Sequence, residues 1–183
     1  KLNIKNFEEM QQGKYYGGTL SNDGTVLVLN FSEISDAEES DLYVSFLEKD
    51  GTWSSPKNMG KTINSEHGEC GAFISSDAAT LYFASNRPGG IGCYDIYMST
   101  RLDSTWQNWT EPKNLGPSVN TSVCDIHFSL DAQEEYAYLG TLNNSKYGGE
   151  DIVKVKLDEQ LKPQKNFDIL ISDSLIVQFE VMD

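Results

Sequence analysis

Short runs of apolar residues, separated by polar clusters, extend along most of the chain. The runs are rich in β-branched and aromatic residues, and the clusters between them are rich in Gly, Ser, Asn and Asp. Such runs predict short strands, because these side chains fit a pleated surface, whereas Gly, Asn, Asp and Ser favour turns. No window shows sustained helical periodicity. The pattern therefore predicts an all-β protein.

Three sets of signals recur along the chain in a fixed order. The turn S-x-D-[GA] occurs at residues 21–24, 75–78 and 129–132, with 54 residues between successive copies, and it contains Asp23, Asp77 and Asp131. An Asp followed by two apolar residues recurs as Asp41, Asp95 and Asp151. The motif W-x-x-P-K-N-x-G begins at Trp53 and again at Trp109. Several signals at one period are typical of tandem structural repeats.

Each repeat is interpreted as four short strands. In the second repeat we expect them at 70–75, 80–85, 94–100 and 106–115. A four-stranded unit of about 40–55 residues predicts a β-propeller blade, and a stack of small sandwiches is the alternative. The blades are predicted at 14–65, 66–121 and 122–163. Leu20, Ile74 and Phe128 are expected to be buried at equivalent positions.

Three blades do not close a ring, since propellers have about four to eight of them. The chain is therefore expected to be part of a larger propeller, and its start at Lys1 without an apolar leader indicates a processed protein or a fragment. Residues 1–13 match no repeat. Residues 164–183 alternate around a polar turn and predict a hairpin that opens a further blade or domain.

The second repeat, SSDAATLYFASNRPGGIGCYDIYMS at 75–99 followed by WTEPKNLG, resembles the TolB-type WD40-like (PD40) propeller repeat. It is most similar to the version found in cell-envelope proteins of the Bacteroidetes, some associated with OmpA-like domains and some with type IX secretion and gliding. The first repeat lacks the S-N-R-x-G-G stretch, and the third lacks the tryptophan strand. The resemblance implies a periplasmic or outer-membrane-associated protein.

Most of the repeated residues are interpreted as structural. The glycine-rich loops at 87–92 and 147–151 run into strands rather than helices, so we expect turns and not phosphate-binding loops. The Asp residues at 41, 95 and 151 recur once per blade, which favours bonds to backbone amides over catalysis. Trp53, Trp106 and Trp109 are expected to pack between blades, with carbohydrate stacking as the minority alternative.

Few residues suggest a metal or a reactive group. The acidic loop offers a weak Ca²⁺ site at Asp36, Glu38, Glu39 and Asp41, but its spacing is not that of an EF-hand, so a solvated loop and no cofactor are expected. Cys124 and His127 would face opposite sides of a strand. We expect Cys70, Cys93 and Cys124 to be free thiols, and no nucleophile motif accompanies His67 or His127.

The chain carries a net charge of −14, which disfavours nucleic acids and anionic lipid surfaces. No apolar run is long enough to span a membrane. Since no catalytic constellation stands out, we expect a chain that is not an enzyme: a protein-binding scaffold of an envelope assembly, possibly near peptidoglycan or the secretion machinery, with envelope proteins as partners. The alternative is the propeller domain of a glycan-acting enzyme or peptidase.

Overall fold

The computed structural model describes residues 2–141 and 149–163. The described part is almost entirely β-structure, with one short α-helix, α1 (Phe7–Met10), and one 3-10 turn at Glu159–Leu161. The strands are β1 (Gly17–Leu20), β2 (Val26–Phe31), β3 (Asp41–Phe46), β4 (Lys57–Asn58), β5 (Glu69–Ile74), β6 (Thr80–Ser85), β7 (Asp95–Thr100), β8 (Lys113–Asn114), β9 (Asp125–Leu130), β10 (Tyr136–Thr141) and β11 (Asp151–Lys156). None of its helices is long and apolar enough to cross a bilayer.

The strands form three antiparallel meanders. The first sheet has the order β1-β2-β3-β4, the second β5-β6-β7-β8, and the third, within the described residues, has three strands in the order β9-β10-β11. The first strands of neighbouring sheets contact each other, β1 with β5 and β5 with β9. Sheets that radiate from adjacent first strands are the blades of a β-propeller, so the predicted fold is confirmed.

The apolar core lies between the blades. One cluster joins the first and second blades through residues such as Val28, Leu42 and Phe83, and a second joins the second and third through residues such as Ile96 and Leu139. Each of these side chains is at most 1% exposed. A blade therefore buries both of its faces, which explains why its strands are continuously apolar rather than alternating.

Residues at the start of the chain cover the outer face of the first blade. Ile4 forms a bridge with Trp53, and the Phe7 ring packs edge-on against Phe31 at 5.4 Å between centroids. Met10 joins the same apolar cluster. Residues 1–13, which match no repeat, thus include a segment that packs on the first sheet. The predicted hairpin at 164–183 lies outside the described residues.

The equivalence between the second and third blades is 56 residues, not 54. Strand pairing places Tyr82 opposite Phe73 and Tyr138 opposite Ser129, so Phe73 corresponds to Ser129. The two extra residues lie in the loop 102–108 of the second blade, where the first blade has only 48–52 between Leu47 and Trp53. The prediction had placed this insertion in the turn before β10, and that placement was wrong.

The corrected equivalence changes which residues repeat. Ser21, Ser75 and Asp131 each donate their backbone N–H across the turn between the first two strands, so Asp131 occupies the serine position rather than that of Asp23 and Asp77. Its Oδ1 accepts the N–H groups of the residues four and five positions on. One Asp in the third blade thus replaces the Ser–Asp pair of the other two.

The expected equivalent core positions are only partly right. Ile74 is 6% exposed and Phe128 3%, but Leu20 is 52% exposed. Leu20 is at the end of β1, the innermost strand of the first blade. Phe128 is not its equivalent, because the 56-residue spacing matches Ile74 with Leu130. The burial of Phe128 follows from its own stacking on Tyr82, at 4.6 Å between ring centroids.

The W-x-x-P-K-N-x-G motif builds the outer edge of each complete blade. In the second blade Asn120 accepts the N–H of Ile96 and donates to its carbonyl, while Asn114 donates to Asp95. Asn64 and Asn58 repeat these bonds in the first blade, on Leu42 and Asp41. Buried polar groups need such partners, which accounts for the recurrence of the motif.

The fourth strand is much shorter than the predicted 106–115. Its ladder is limited to Lys113–Asn114, together with a bridge between Arg101 and Trp109. Pro112 has no N–H to donate, so the ladder cannot continue through it. Trp106 and Trp109 instead pack into the cluster between the first two blades, and Trp53 packs on the first blade's outer face.

Candidate functional site

A cleft of about 880 Å³ opens where the first strands of the three blades meet. In each meander the strand 2–3 loops and the sheet-to-sheet connections lie at the same end of the sheet, and the cleft is at this end. Its floor is made of small residues, including Gly17, Gly18 and Gly71, which leave room above the inner strands. Its walls carry polar and aromatic side chains: Tyr15, Tyr16, Asn30, Glu38, Glu39, Asn86, Tyr94, His127 and Glu150.

His127 is the most unusual residue of the cleft. It lies at a β-bulge in β9 with φ 56°, a left-handed conformation that costs a side chain-bearing residue about 1–2 kcal/mol. The equivalent bulge of β5 holds Gly71 at φ 57°, and a Cβ on Gly71 would lie 3.3 Å from the His127 nitrogen. The third blade thus places an exposed imidazole where the second blade uses glycine. Backbone strain of this kind concentrates at functional sites.

Glu150 lies beside His127. A Cβ added to Gly140 would be 3.1 Å from Oε2 of Glu150 and 3.7 Å from Cδ2 of His127, so both side chains lie over the same glycine. Both residues are exposed and line the cleft. A carboxylate and an imidazole that flank one open space can share a substrate between them, one accepting a proton while the other donates one.

Two further carboxylates come from the acidic loop of the first blade. Glu38 forms an ion pair with Lys14 at 2.8 Å, and this lysine holds the pKa of the Glu38 carboxyl below its ordinary value. Glu39 accepts a hydrogen bond from the Asn86 amide at 3.1 Å, which joins the loops of the first two blades. Asn86 in turn accepts the Gly68 N–H at 2.7 Å. Glu39 is therefore held at the wall of the cleft without a cation partner among the described residues.

Burial keeps two other cleft groups neutral. It raises the pKa of the Tyr94 phenol to about 12, with a smaller contribution from the charges of Cys70 and Glu39. Burial, assisted by the charge of Glu69, raises the pKa of the Cys70 thiol to about 11. At neutral pH Tyr94 is a hydrogen-bond donor, and Cys70 is a protonated thiol with little nucleophilic character.

Cys93 and Cys124 form a disulfide, which corrects the expectation of three free thiols; Cys70 alone is free. Their Cα atoms are 4.9 Å apart and 31 residues separate them in sequence. The bond fastens the strand 2–3 loop of the second blade to the beginning of β9, next to the cleft. The expectation had compared Cys70 with Cys124, but the 56-residue equivalence matches Cys124 with Gly68.

The weak calcium site does not assemble. Asp36 lies in the left-handed region at φ 59°, Glu38 binds Lys14, Glu39 binds Asn86, and Asp41 accepts from Asn58. These four carboxylates serve separate partners instead of converging. In the described ranges no group of three His, Cys, Asp or Glu residues is placed to hold a metal ion.

Two buried acids near the cleft are structural. Glu69 is fully buried and accepts hydrogen bonds from Ser65 and Ser85 and from the Arg87 guanidinium. Asp125 occupies the equivalent place in the third blade, where it binds Thr121. Each acid also donates its backbone N–H to the preceding blade. Since the arrangement repeats, it joins blades rather than performing chemistry.

Sequence reasoning missed the pair His127 and Glu150. The 54-residue spacing aligned His127 with Phe73, an ordinary strand position. At the correct spacing of 56 residues, His127 falls on Gly71, and a histidine in the place of a bulge glycine is a signal that the sequence does carry. Glu150 immediately precedes the repeated Asp151, and nothing in its local pattern distinguishes it from a solvated loop residue.

No protein-family model matches the chain, and no curated protein matches it. Among solved structures, the chain is similar to the periplasmic gluconolactonase PpgL of Pseudomonas aeruginosa, with a TM-score of 0.44 and 13% sequence identity. The match covers 77% of this chain and 42% of that one, so the chain spans less than half of that protein's length. A likeness this distant assigns no activity.

The comparison nevertheless runs against two expectations. The similar structure is that of an enzyme, which contradicts both the non-enzymatic scaffold role and the expectation that the chain is not an enzyme. Both are set aside. The alternative that the sequence had left open, a propeller of a glycan-acting enzyme or peptidase, agrees better with this finding.

Proposed function

We propose that the chain is the substrate-binding part of a propeller hydrolase that acts on sugar-derived substrates in an oxidising compartment such as the periplasm. The observation that carries the proposal is His127, held in a left-handed conformation beside Glu150 in the cleft. The cleft's tyrosines, amides and carboxylates are the groups that recognise hydroxyl-rich ligands, through ring stacking and hydrogen bonds.

In this proposal His127 accepts a proton from the attacking water, and the imidazolium then protonates the leaving oxygen. The Glu150 carboxylate stabilises the imidazolium and binds a substrate hydroxyl. Tyr94 donates a hydrogen bond as a neutral phenol. Nucleophilic peptidase chemistry is less well supported, because Cys70 is protonated and the Ser40 hydroxyl donates to the backbone carbonyl of Glu69.

Compartment and repeat type belong to the same proposal. The Cys93–Cys124 disulfide supports an oxidising compartment, because disulfides are rare in proteins of the reducing cytosol. We also infer that the blades are of the TolB type, supported by the W-x-x-P-K-N-x-G motif and its asparagine bonds in two blades.

The test is hydrolysis of a panel of chromogenic glycosides, a sugar lactone and acetylated sugars. His127→Gly places the residue that β5 uses at its own bulge, so the fold should be retained or stabilised by about 1 kcal/mol while turnover falls at least about 100-fold. Glu150→Gln should lower kcat as well.

The matched control is His67→Ala, which removes the other histidine, outside the cleft, and should leave turnover unchanged. The proposal is refuted if the native protein hydrolyses nothing in the panel, or if His127→Gly keeps full activity.

A further inference from the structure

The charges along the cleft are of one sign. Among the described lining residues, three are glutamates, Glu38, Glu39 and Glu150, and none is a lysine or an arginine. The nearest described cation with a defined partner, Lys14, is neutralised by Glu38. Glu39 and Glu150 remain without ion pairs in the described part of the chain. The whole chain, with a net charge of −14, adds to this field.

Aromatic rings at the rim fit a cation better than an anion. Tyr15 and Tyr16 are 63% and 66% exposed, an unusual exposure for two adjacent aromatic residues, and both line the cleft. Ring faces are electron-rich and attract an ammonium group within about 6 Å. Exposed rings at a concave surface are also the groups on which sugar rings stack.

Glu39 is the carboxylate best placed to select charge. The Asn86 bond to its Oε1 fixes its position, and Asn86 is itself held by the Gly68 backbone. Glu150, in contrast, belongs to the reacting pair in the function proposed above. A fixed carboxylate without a cation partner can form a charge-assisted hydrogen bond with an incoming ammonium.

We infer that the substrate is an amino sugar whose free ammonium group binds Glu39; this inference rests on the proposed function of the cleft. An uncharged sugar of the same shape forfeits the charge-assisted bond. A uronic acid brings a like charge towards Glu39 and Glu150, which opposes binding. The cleft therefore discriminates by charge as well as by shape.

The test measures binding of glucosamine, glucose, N-acetylglucosamine and glucuronate to the His127→Gly variant by calorimetry, so that turnover does not interfere. Glucosamine should bind at least about tenfold more tightly than glucose or N-acetylglucosamine, and glucuronate most weakly. The preference should shrink in 0.5 M salt, because screening weakens an exposed charge pair. It should also shrink at a pH high enough to deprotonate the amine.

Glu39→Gln should abolish the preference for glucosamine and leave glucose binding unchanged. The control Glu48→Gln removes one negative charge outside the cleft, where Glu48 pairs with Lys5, and should preserve the preference. Equal binding of glucosamine and glucose, tighter binding of glucuronate, or no sugar binding at all overturns the inference. Loss of turnover in His127→Gly without any charge preference would overturn this inference alone and leave the proposed function standing.

Discussion

At the scale of single residues, the same residue type serves different purposes at equivalent positions. Asp41 and Asp95 both begin the third strand of a blade, and each accepts a hydrogen bond from the motif asparagine, Asn58 or Asn114. Asp95 additionally accepts the backbone N–H groups of Ile91 and Gly92 from the glycine loop. Asp41 has no such loop to hold, since the first blade carries the acidic loop there.

This difference predicts opposite responses to one substitution. Asp95→Asn should destabilise the protein by about 1–3 kcal/mol, because an amide accepts the two loop N–H groups less strongly than a carboxylate does. Asp41→Asn should be neutral or stabilising at pH 7. Burial raises the pKa of the Asp41 carboxyl, helped by the charges of Glu69 and Glu33, so the folded state disfavours its ionised form.

The two variants are compared by urea unfolding at pH 7 and pH 4. A carboxyl with a raised pKa gains stability as the pH falls through its folded pKa, so any advantage of Asp41→Asn over the native protein should diminish towards pH 4. A larger loss of stability for Asp41→Asn than for Asp95→Asn would contradict the assignment.

At the scale of elements, the four-stranded repeat could be predicted because its signals are local. Turn residues, β-branched runs and the PKN motif each act within a few positions. The position of the two-residue insertion could not be predicted, because Ser129 and Asp131 chance to resemble the S-x-D turn. The bulge at His127 depends on pairing with β10, which has no signature in β9 alone.

The disulfide was missed for a related reason. Three cysteines leave one unpaired, so their number predicts no framework, and the pairing of Cys93 with Cys124 depends on how a loop of one blade meets the next. The candidate site was missed because the cleft exists only once the inner strands are adjacent. Binding of a protein partner and the expected lack of a cofactor remain predictions from sequence.

Removing the disulfide should loosen the join between the second and third blades. The double variant Cys93→Ser/Cys124→Ser is expected to lose about 3–4 kcal/mol of unfolding free energy, from the closed loop of 31 residues. Thermal unfolding with and without reductant measures the loss, and the native protein with reductant should approach the variant.

Cys70→Ser is the matched control, since it removes the free thiol and leaves the bond intact. An effect of reductant on the double variant as large as on the native protein would show that the stabilisation does not come from this bond.

At the scale of the whole molecule, stability should differ between blades. The second blade is covered on both faces, whereas Ile152 on the outer face of the third is 82% exposed, although its equivalent Ile96 is fully buried. In repeat proteins, stability is approximately a sum over repeats and the interfaces between neighbours. The third blade has one such interface in the described structure.

Native-state hydrogen exchange should therefore be slowest in β6 and β7 and fastest in β10 and β11, with β2 and β3 close to the second blade because residues near the start of the chain cover their outer face. Uniform protection across the three sheets would contradict this order. Exchange in reductant separates the contribution of the disulfide from that of packing.

The packing of residues 2–12 on the first blade also has a consequence for synthesis. These residues cover a face made of strands that leave the ribosome soon after them, so the first blade can bury that face before the second exists. Each later blade then meets a partner that is already folded, and the pairings within it are between neighbours in sequence. For a β protein such contacts are local, which favours fast folding. At each moment of elongation only the face of the newest blade would be open to aggregation.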